Sequence, residues 1–129
     1  MAIGIRQRVK EGEAPKPTRF YSSKQEKTVA KAIGGRQTAN SGATDFGGKS
    51  DVSIANLVSI ECKTKTSKSE SISIKKEWLL KNKREAIFDG NPYSAIAFNF
   101  GPDEENYYII EEYLFLELLE HLKTLDNPL

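Results

Sequence analysis

DVSIANLVSIECK, residues 51–63, alternates apolar and polar side chains on both sides of Asn56. That period of two is the signature of half-buried strands, and it predicts two of them, Asp51–Ile54 and Leu57–Lys65, folded back at Asn56. Val52 and Ile54 share one face of the first strand, with Asp51 and Ser53 on the other. On the second strand Val58, Ile60 and Cys62 face one way, and Glu61 and Lys63 the opposite way. A hairpin centred on Asn56 pairs Asp51 with Glu61; a bulge in the turn would shift that register by one residue. Directly opposed residues have Cβ atoms roughly 4.5–5.5 Å apart, and like charges so placed repel. A divalent cation between the two carboxylates removes the conflict. Lys63 follows two residues later on the same face, so the spacing implies a metal-dependent hydrolytic site.

Upstream, Ser22 or Ser23 is placed to cap a helix running to about Ile33, where Gly34-Gly35 ends it. Glu26 then has two readings: a capping-box glutamate bonding the backbone at Ser23, or a charge on the stripe Glu26, Val29, Ala30, Ile33 that an adjacent metal site explains. Residues 35–50, GRQTANSGATDFGGKS, read as a loop. Glycines such as Gly42 allow close backbone approach, Arg36 supplies charge, and Ser41 and Thr44 are able to donate to phosphate oxygens. Neither GxxxxGK[ST] nor GxGxxG occurs, which excludes a nucleotide-triphosphate loop of those kinds. Residues 1–20 carry Arg6, Arg8, Lys10, Lys16 and Arg19 with Pro15 and Pro17, and read as an irregular basic arm, either a backbone contact for DNA or a solubilising tail.

Downstream, Ser71–Ile74 alternates briefly, suggesting a short extended piece. A helix from about Lys75 to Phe88 places Trp78, Leu79, Asn82, Ala86 and Ile87 near one face. Trp78 at that spacing reads as core rather than a base-stacking group, while Lys75 and Lys76, with Lys65 before them, face a polyanion. YSAIAFNF and YYIIEEY read as two further strands separated by Gly101-Pro102-Asp103. The last helix, Tyr113 to about Leu125, has a broad apolar face of Leu114, Phe115, Leu118, Leu119 and Leu122, fit for core packing or for a homodimer seam. His121 reads as structural.

At 129 residues, 38% hydrophobic and 29% charged, the chain fits one folded domain, here residues 21–129 behind the arm. No apolar run approaches the roughly 18–20 residues a membrane helix needs. One Cys and one His exclude an internal disulfide and a Cys/His zinc cluster, and a cytoplasmic setting is expected. Residues 1–85 hold 18 Lys and Arg against 9 Asp and Glu, whereas residues 86–129 hold 1 against 9. The basic half, which also contains the candidate site, is suited to following a phosphate backbone.

Asp51, nine intervening residues, then Glu61-Cys62-Lys63 resembles the PD-(D/E)xK nuclease motif. Glu26 in KQEKTVAKAIGG matches the helical glutamate common in that superfamily. GGRQTANSGATDF is similar to the glycine- and serine-bearing loop of archaeal and phage Holliday-junction resolvases, and SISIKKEWL also fits such nucleases. The likeness spans roughly residues 19–101, with Ser50 standing where the motif's name has proline. It implies an α/β fold with a mixed central β-sheet flanked by helices, restriction-endonuclease-like, and a Mg²⁺-dependent endonuclease acting on branched DNA in a prokaryotic or phage-infected cell. Mn²⁺ is expected to substitute, with no organic cofactor. Asp51, Glu61, the Cys62 carbonyl and Glu26 are the expected metal ligands. Lys63 is expected to orient or help deprotonate the attacking water, or to stabilise charge on phosphate. Arg36, Ser41, Gly42, Lys65, Lys75 and Lys76 are the expected DNA contacts. The resemblance further implies a homodimer making paired nicks that leave 5′-phosphate and 3′-hydroxyl ends. The rival expectations are a nuclease of the same superfamily acting on duplex DNA and a non-catalytic DNA-binding module.

Overall fold

Three helices and five strands follow one another in the computed structural model, which describes residues 16–38 and 50–125. They are α1 (Thr18–Ile33), β1 (Arg36–Gln37), β2 (Val52–Ile54), β3 (Val58–Lys63), α2 (Lys76–Phe88), β4 (Tyr93–Phe98), β5 (Tyr107–Ile110) and α3 (Glu112–Thr124). The strands form one sheet in the order β1-β2-β3-β4-β5. Only β3 and β4 run parallel, and the other neighbours are antiparallel. A parallel pair needs a crossover connection, which α2 supplies. The architecture is therefore α/β with a mixed sheet flanked by helices.

The hairpin holds the expected register, with Val52 opposite Ile60, Ser53 opposite Ser59 and Ile54 opposite Val58. Continued by one pair, it sets Asp51 across from Glu61. The Leu57 N–H donates to the Ile54 carbonyl at 3.0 Å, closing the turn, and Asn56 takes φ 65. Asn is among the few non-glycine residues that tolerate this left-handed region.

Period-two alternation sorts the strands between two helices. Val52, Ile60, Cys62, Ala95 and Ala97 form the core with Val29 and Ala30 of α1. On the opposite face α2 buries Asn82, Glu85 and Ala86 beside fully buried Ile96. Gly34, at φ 73, ends α1. A Cβ on Gly35 would lie 2.6 Å from the Ser53 carbonyl oxygen, so glycine is what lets the chain leave α1 directly against β2.

Four expectations are corrected. Helix α1 begins at Thr18 behind Pro17, with no side-chain cap, so residues 18–20 belong to the helix rather than to the arm; residues 1–15 lie outside the described ones. Ser22 sits inside the first turns and donates to the Arg19 carbonyl at 3.2 Å, a back-bond open to helical serine. Arg36–Gln37 is a strand, not loop, because β2 offers it an open edge. Ile87 is 68% exposed: the buried stripe of α2 is 82, 85, 86, and Ile87 lies about 100° round the helix from Ala86. Among the described residues no helix is long and apolar enough to cross a membrane.

The turn yields a test of the register. Asn56→Val, which forces a β-branched residue into the left-handed region, is expected to cost about 1–2 kcal/mol in urea unfolding, while Asn56→Gly leaves stability nearly unchanged. Equal losses for both would show that Asn56 acts through its side chain and not its backbone angle.

Candidate functional site

Asp51 stands just before β2, where the hairpin ladder runs out. Its Oδ2 accepts the Cys62 N–H at 2.9 Å, so the carboxylate folds onto the edge of β3. Its own carbonyl accepts from Thr38 N–H at 2.9 Å, which fixes it to the strand before. Held at the start of β2, between β1 and β3, Asp51 acts electrostatically on Glu26 from the α1 side and on Glu61 from the α2 side.

Glu61 and Lys63 point together toward α2. Lys63 Nζ is 3.4 Å from Glu61 Oε2 and 4.3 Å from the centre of the Trp78 ring, a cation–π contact. Lys75 lies at 6.0 Å over the same ring. Trp78 is half-buried, so the expected core tryptophan is also a wall of the site. Burial first, and then Asp51, pushes the Glu61 carboxyl above its ordinary value, against the opposing pull of Lys81 and Lys63.

Glu26 is 2% exposed and does not bond the backbone at Ser23, which removes the capping-box reading. Instead Oε1 accepts from Gln37 Nε2 at 3.0 Å and Oε2 from the Arg19 guanidinium at 3.3 Å. Burial is again the largest cause of its raised pKa, partly offset by Gln37. The Cys62 thiol is buried in the core with Val29 and Ala30, on the face away from Glu61. Burial, followed by Asp51, Glu26 and Glu61, raises its pKa strongly. The thiol is thus no ligand beside Glu61, and only the backbone of Cys62 is shared with the site.

Among the described residues no three His, Cys, Asp or Glu side chains converge as a metal-holding group. What the fold does bring together is a coupled carboxylate pair, Asp51 and Glu61, with Lys63 beside it. Oxygen donors of this kind suit a hard divalent cation that keeps several waters. Glu26 joins through Asp51 rather than beside Glu61.

The expected DNA contacts spread more widely. Arg36 is exposed on the edge strand β1, and Lys75 and Lys76 are exposed at the start of α2. Lys65 is half-buried and donates to Ser69 Oγ at 3.2 Å. Ser41 and Gly42 lie outside the described residues. His121 is exposed on α3. The sequence reading missed Gln37 and Arg19, which hold Glu26, and the Lys81–Glu85 pair on α2. It also missed Gln25, whose Nε2 donates to the Lys63 carbonyl at 3.0 Å and so fixes the backbone at the motif lysine. Comparison of the chain with family models, with curated proteins and with solved structures returns no match.

The raised pKa of Glu61 has a definite sign in stability. A carboxyl whose folded value exceeds the ordinary 4.5 is bound to its proton more tightly in the folded chain. Its contribution is fully present below 4.5 and is lost as pH rises through the folded value. Metal-free Glu61→Gln is therefore expected to gain on the unaltered chain as pH rises through that window and then to hold a constant advantage. Denaturant unfolding from pH 4 to 8 without divalent ions measures it. A difference that does not vary with pH would show that Glu61 ionises as freely in the fold as outside it.

Proposed function

We propose that the chain is a metal-dependent endodeoxyribonuclease acting on branched DNA, in the manner of a Holliday-junction resolvase. One observation carries the reading: the hairpin register sets Asp51 against Glu61 with the Lys63 ammonium 3.4 Å from the glutamate. Such a pair opposes folding by itself, and the residues around it supply what phosphodiester hydrolysis needs.

Asp51 and Glu61 would hold the cation, with the Cys62 carbonyl as a further oxygen, and Glu26 would act through Asp51. A bound Mg²⁺ supplies a lowered pKa for its water and neutralises charge on the phosphate oxygens. Lys63 keeps its ammonium at the same face, where it orients the attacking water or meets the phosphate. Trp78 holds that ammonium without neutralising it. Gln25 and the Cys62–Asp51 hydrogen bond keep the β3 backbone still, so the carboxylate and ammonium are positioned before substrate arrives.

The DNA assignment is supported by the excess of Lys and Arg in residues 1–85 and by exposed Arg36, Lys75, Lys76, Lys83 and Arg84 near the site-bearing elements. Assembly as a two-fold dimer is supported by α3, which has no buried residue. Phe115, Leu116, Leu118, Leu122 and Leu125 are each about half exposed or more, and α3 meets the domain through Tyr113, stacked on Tyr93 and donating to the Pro92 carbonyl at 2.8 Å, and through Glu117, which accepts from the Tyr93 hydroxyl. Two copies would present two sites to the two strands a junction requires cut.

Asp51→Asn, Glu61→Gln and Lys63→Ala are each expected to lower cleavage of a synthetic four-way junction by on the order of 10²–10⁴-fold while the fold is retained. Matched linear duplex in the same assay decides substrate class: cleavage of duplex at the junction rate would replace the resolvase reading with that of a duplex nuclease. Near-unaltered cleavage by any one variant would remove the site assignment.

Dimerisation has its own test. Sedimentation at micromolar concentration is expected to give a dimer, and Leu118→Lys with Leu122→Lys a monomer whose metal-dependent nicking of single strands persists. A monomeric unaltered chain, alone and on junction DNA, would eliminate the paired-nick mechanism.

A further inference from the structure

The end of the sheet that carries Lys63 also carries a cluster of aromatic rings. Register places Lys63 beside Phe98, and Phe98 beside Tyr107, so the three cross β3, β4 and β5 in one row. Ala97 packs into the core with α1. Phe98 and its row therefore lie on the opposite face, the one that Glu61 shares. Helix α2 meets this row over β3, where Trp78 covers the Lys63 ammonium.

Phe98 and Tyr107 are stacked, with 5.7 Å between ring centres and 27° between planes. Phe100 stands edge-on to both, 5.6 Å from Phe98 and 5.9 Å from Tyr107. Its backbone is fixed in turn, because its carbonyl accepts from the Ser69 N–H at 2.8 Å. Burial accounts for the two phenylalanines, which are half-buried, but less well for Tyr107, which is 47% exposed. Strand β5 ends the sheet, so among the described residues no strand lies beyond the tyrosine. A solvated sheet position of this kind ordinarily carries a polar side chain. The triangle of rings is nearly equilateral, so both neighbours stand to one side of Tyr107. The other side of the ring is left for a third planar group.

Charge selects what that group is attached to. At one end of the row, Lys63 and Lys75 lie 4.3 Å and 6.0 Å over the Trp78 ring. At the other, Lys65 donates at 3.2 Å to Ser69, the residue that bonds the Phe100 backbone. An apolar protein segment would strip water from these ammonium groups without replacing it. A nucleic-acid strand brings phosphates to them and a π-face to the ring. Paired bases are already stacked on both faces within a duplex, so the ring suits a base that is unpaired.

We propose that Tyr107, braced by Phe98 and Phe100, is a stacking platform for one unpaired nucleobase of a strand whose backbone passes Lys63. The inference deepens the nuclease reading and rests on it for the phosphate at Lys63. Neighbouring strands lie about 4.8 Å apart, which sets Tyr107 roughly 10 Å from Lys63 across the sheet. That span is about three nucleotides at 3.4 Å per stacked step. The substrate is then DNA that is unpaired within about that distance of the cut.

The test is fluorescence anisotropy of the full chain with a labelled single-stranded oligodeoxynucleotide and with matched duplex, without divalent ions and at fixed salt. Tyr107→Ala is expected to weaken single-strand binding by about tenfold, within the range for losing one base–aromatic stack, and to leave duplex binding unchanged. Tyr107→Phe keeps the ring and keeps the affinity. Tyr107→Leu keeps apolar bulk without a π-face and loses as much as Tyr107→Ala, which separates stacking from packing. Phe88→Ala removes a ring that is 68% exposed at the last residue of α2, and leaves single-strand binding unchanged. Thermal melts confirm folding; if Tyr107→Ala is unfolded, Tyr107→Leu carries the test. No single-strand binding by the unaltered chain, equal affinity with and without the ring, or an equal loss on duplex overturns the platform. Mg²⁺-dependent cleavage of the four-way junction by the unaltered chain is measured beside it. Cleavage without a Tyr107 effect overturns the platform and leaves the nuclease reading standing. A Tyr107 effect in a chain that does not cleave keeps the platform as a single-strand site and overturns the nuclease reading.

Discussion

Asp51, set between Glu26 on the α1 side of the sheet and Glu61 on the α2 side, is the constraint that the surrounding structure answers. Two unit charges roughly 5 Å apart repel by on the order of 3 kcal/mol at an effective dielectric of 20. That is a substantial part of the 5–15 kcal/mol by which domains are stable. Each carboxylate is accordingly given its own donors: the Cys62 N–H for Asp51, Gln37 and Arg19 for Glu26, Lys63 for Glu61. These donors come from β3, β1 and α1, which explains why so short a strand as β1 matters. Gln37 is brought to Glu26 only because Arg36–Gln37 pairs with β2.

The placement of α2 follows from hydrogen bonding more than from apolar burial. Its buried residues are Asn82, Glu85 and Ala86, and alanine alone gives little transfer free energy. Asn82 bonds two strand carbonyls, and Asn91, just beyond the helix, donates to Ser59 Oγ at 2.9 Å. A greasy stripe tolerates sliding, whereas an amide shared between two fixed carbonyls does not. The helix therefore keeps Trp78 over Lys63 and carries Lys81 paired with Glu85.

The hairpin was legible in the sequence because both signals there are local. Alternation fixes the faces of Val52, Ile60 and Glu61, and Asn56 supplies the backbone angle that fixes their register. Helix α2 was legible to within a residue for the same reason. Other features depend on contacts between distant segments. Ser22 and Ser23 looked like caps, but Pro17 starts the helix five residues before Ser22. Arg36–Gln37 carries no strand pattern of its own and becomes one by adding to the β2 edge. Glu85, seven residues beyond Trp78, reads as an ordinary surface charge; only the docking of α2 buries it. Alternation puts the Cys62 thiol with Ile60 and away from Glu61, and the core packing agrees.

Lys63 and Lys81 are held in different ways, and the difference matters for any phosphate chemistry here. Lys81 has Glu85 at 2.9 Å, so its charge is spent largely on a neighbouring carboxylate. Lys63 has a carboxylate at 3.4 Å on one side and an indole face at 4.3 Å on the other. An aromatic ring attracts an ammonium through its quadrupole and brings no net charge of its own. It therefore fixes the position of Lys63 while leaving most of its field directed outward. A second carboxylate in the place of Trp78 would hold the ammonium as firmly and cancel it. The tryptophan gives position without neutralisation, which is the property a group must have if it is to meet an anion arriving from solvent.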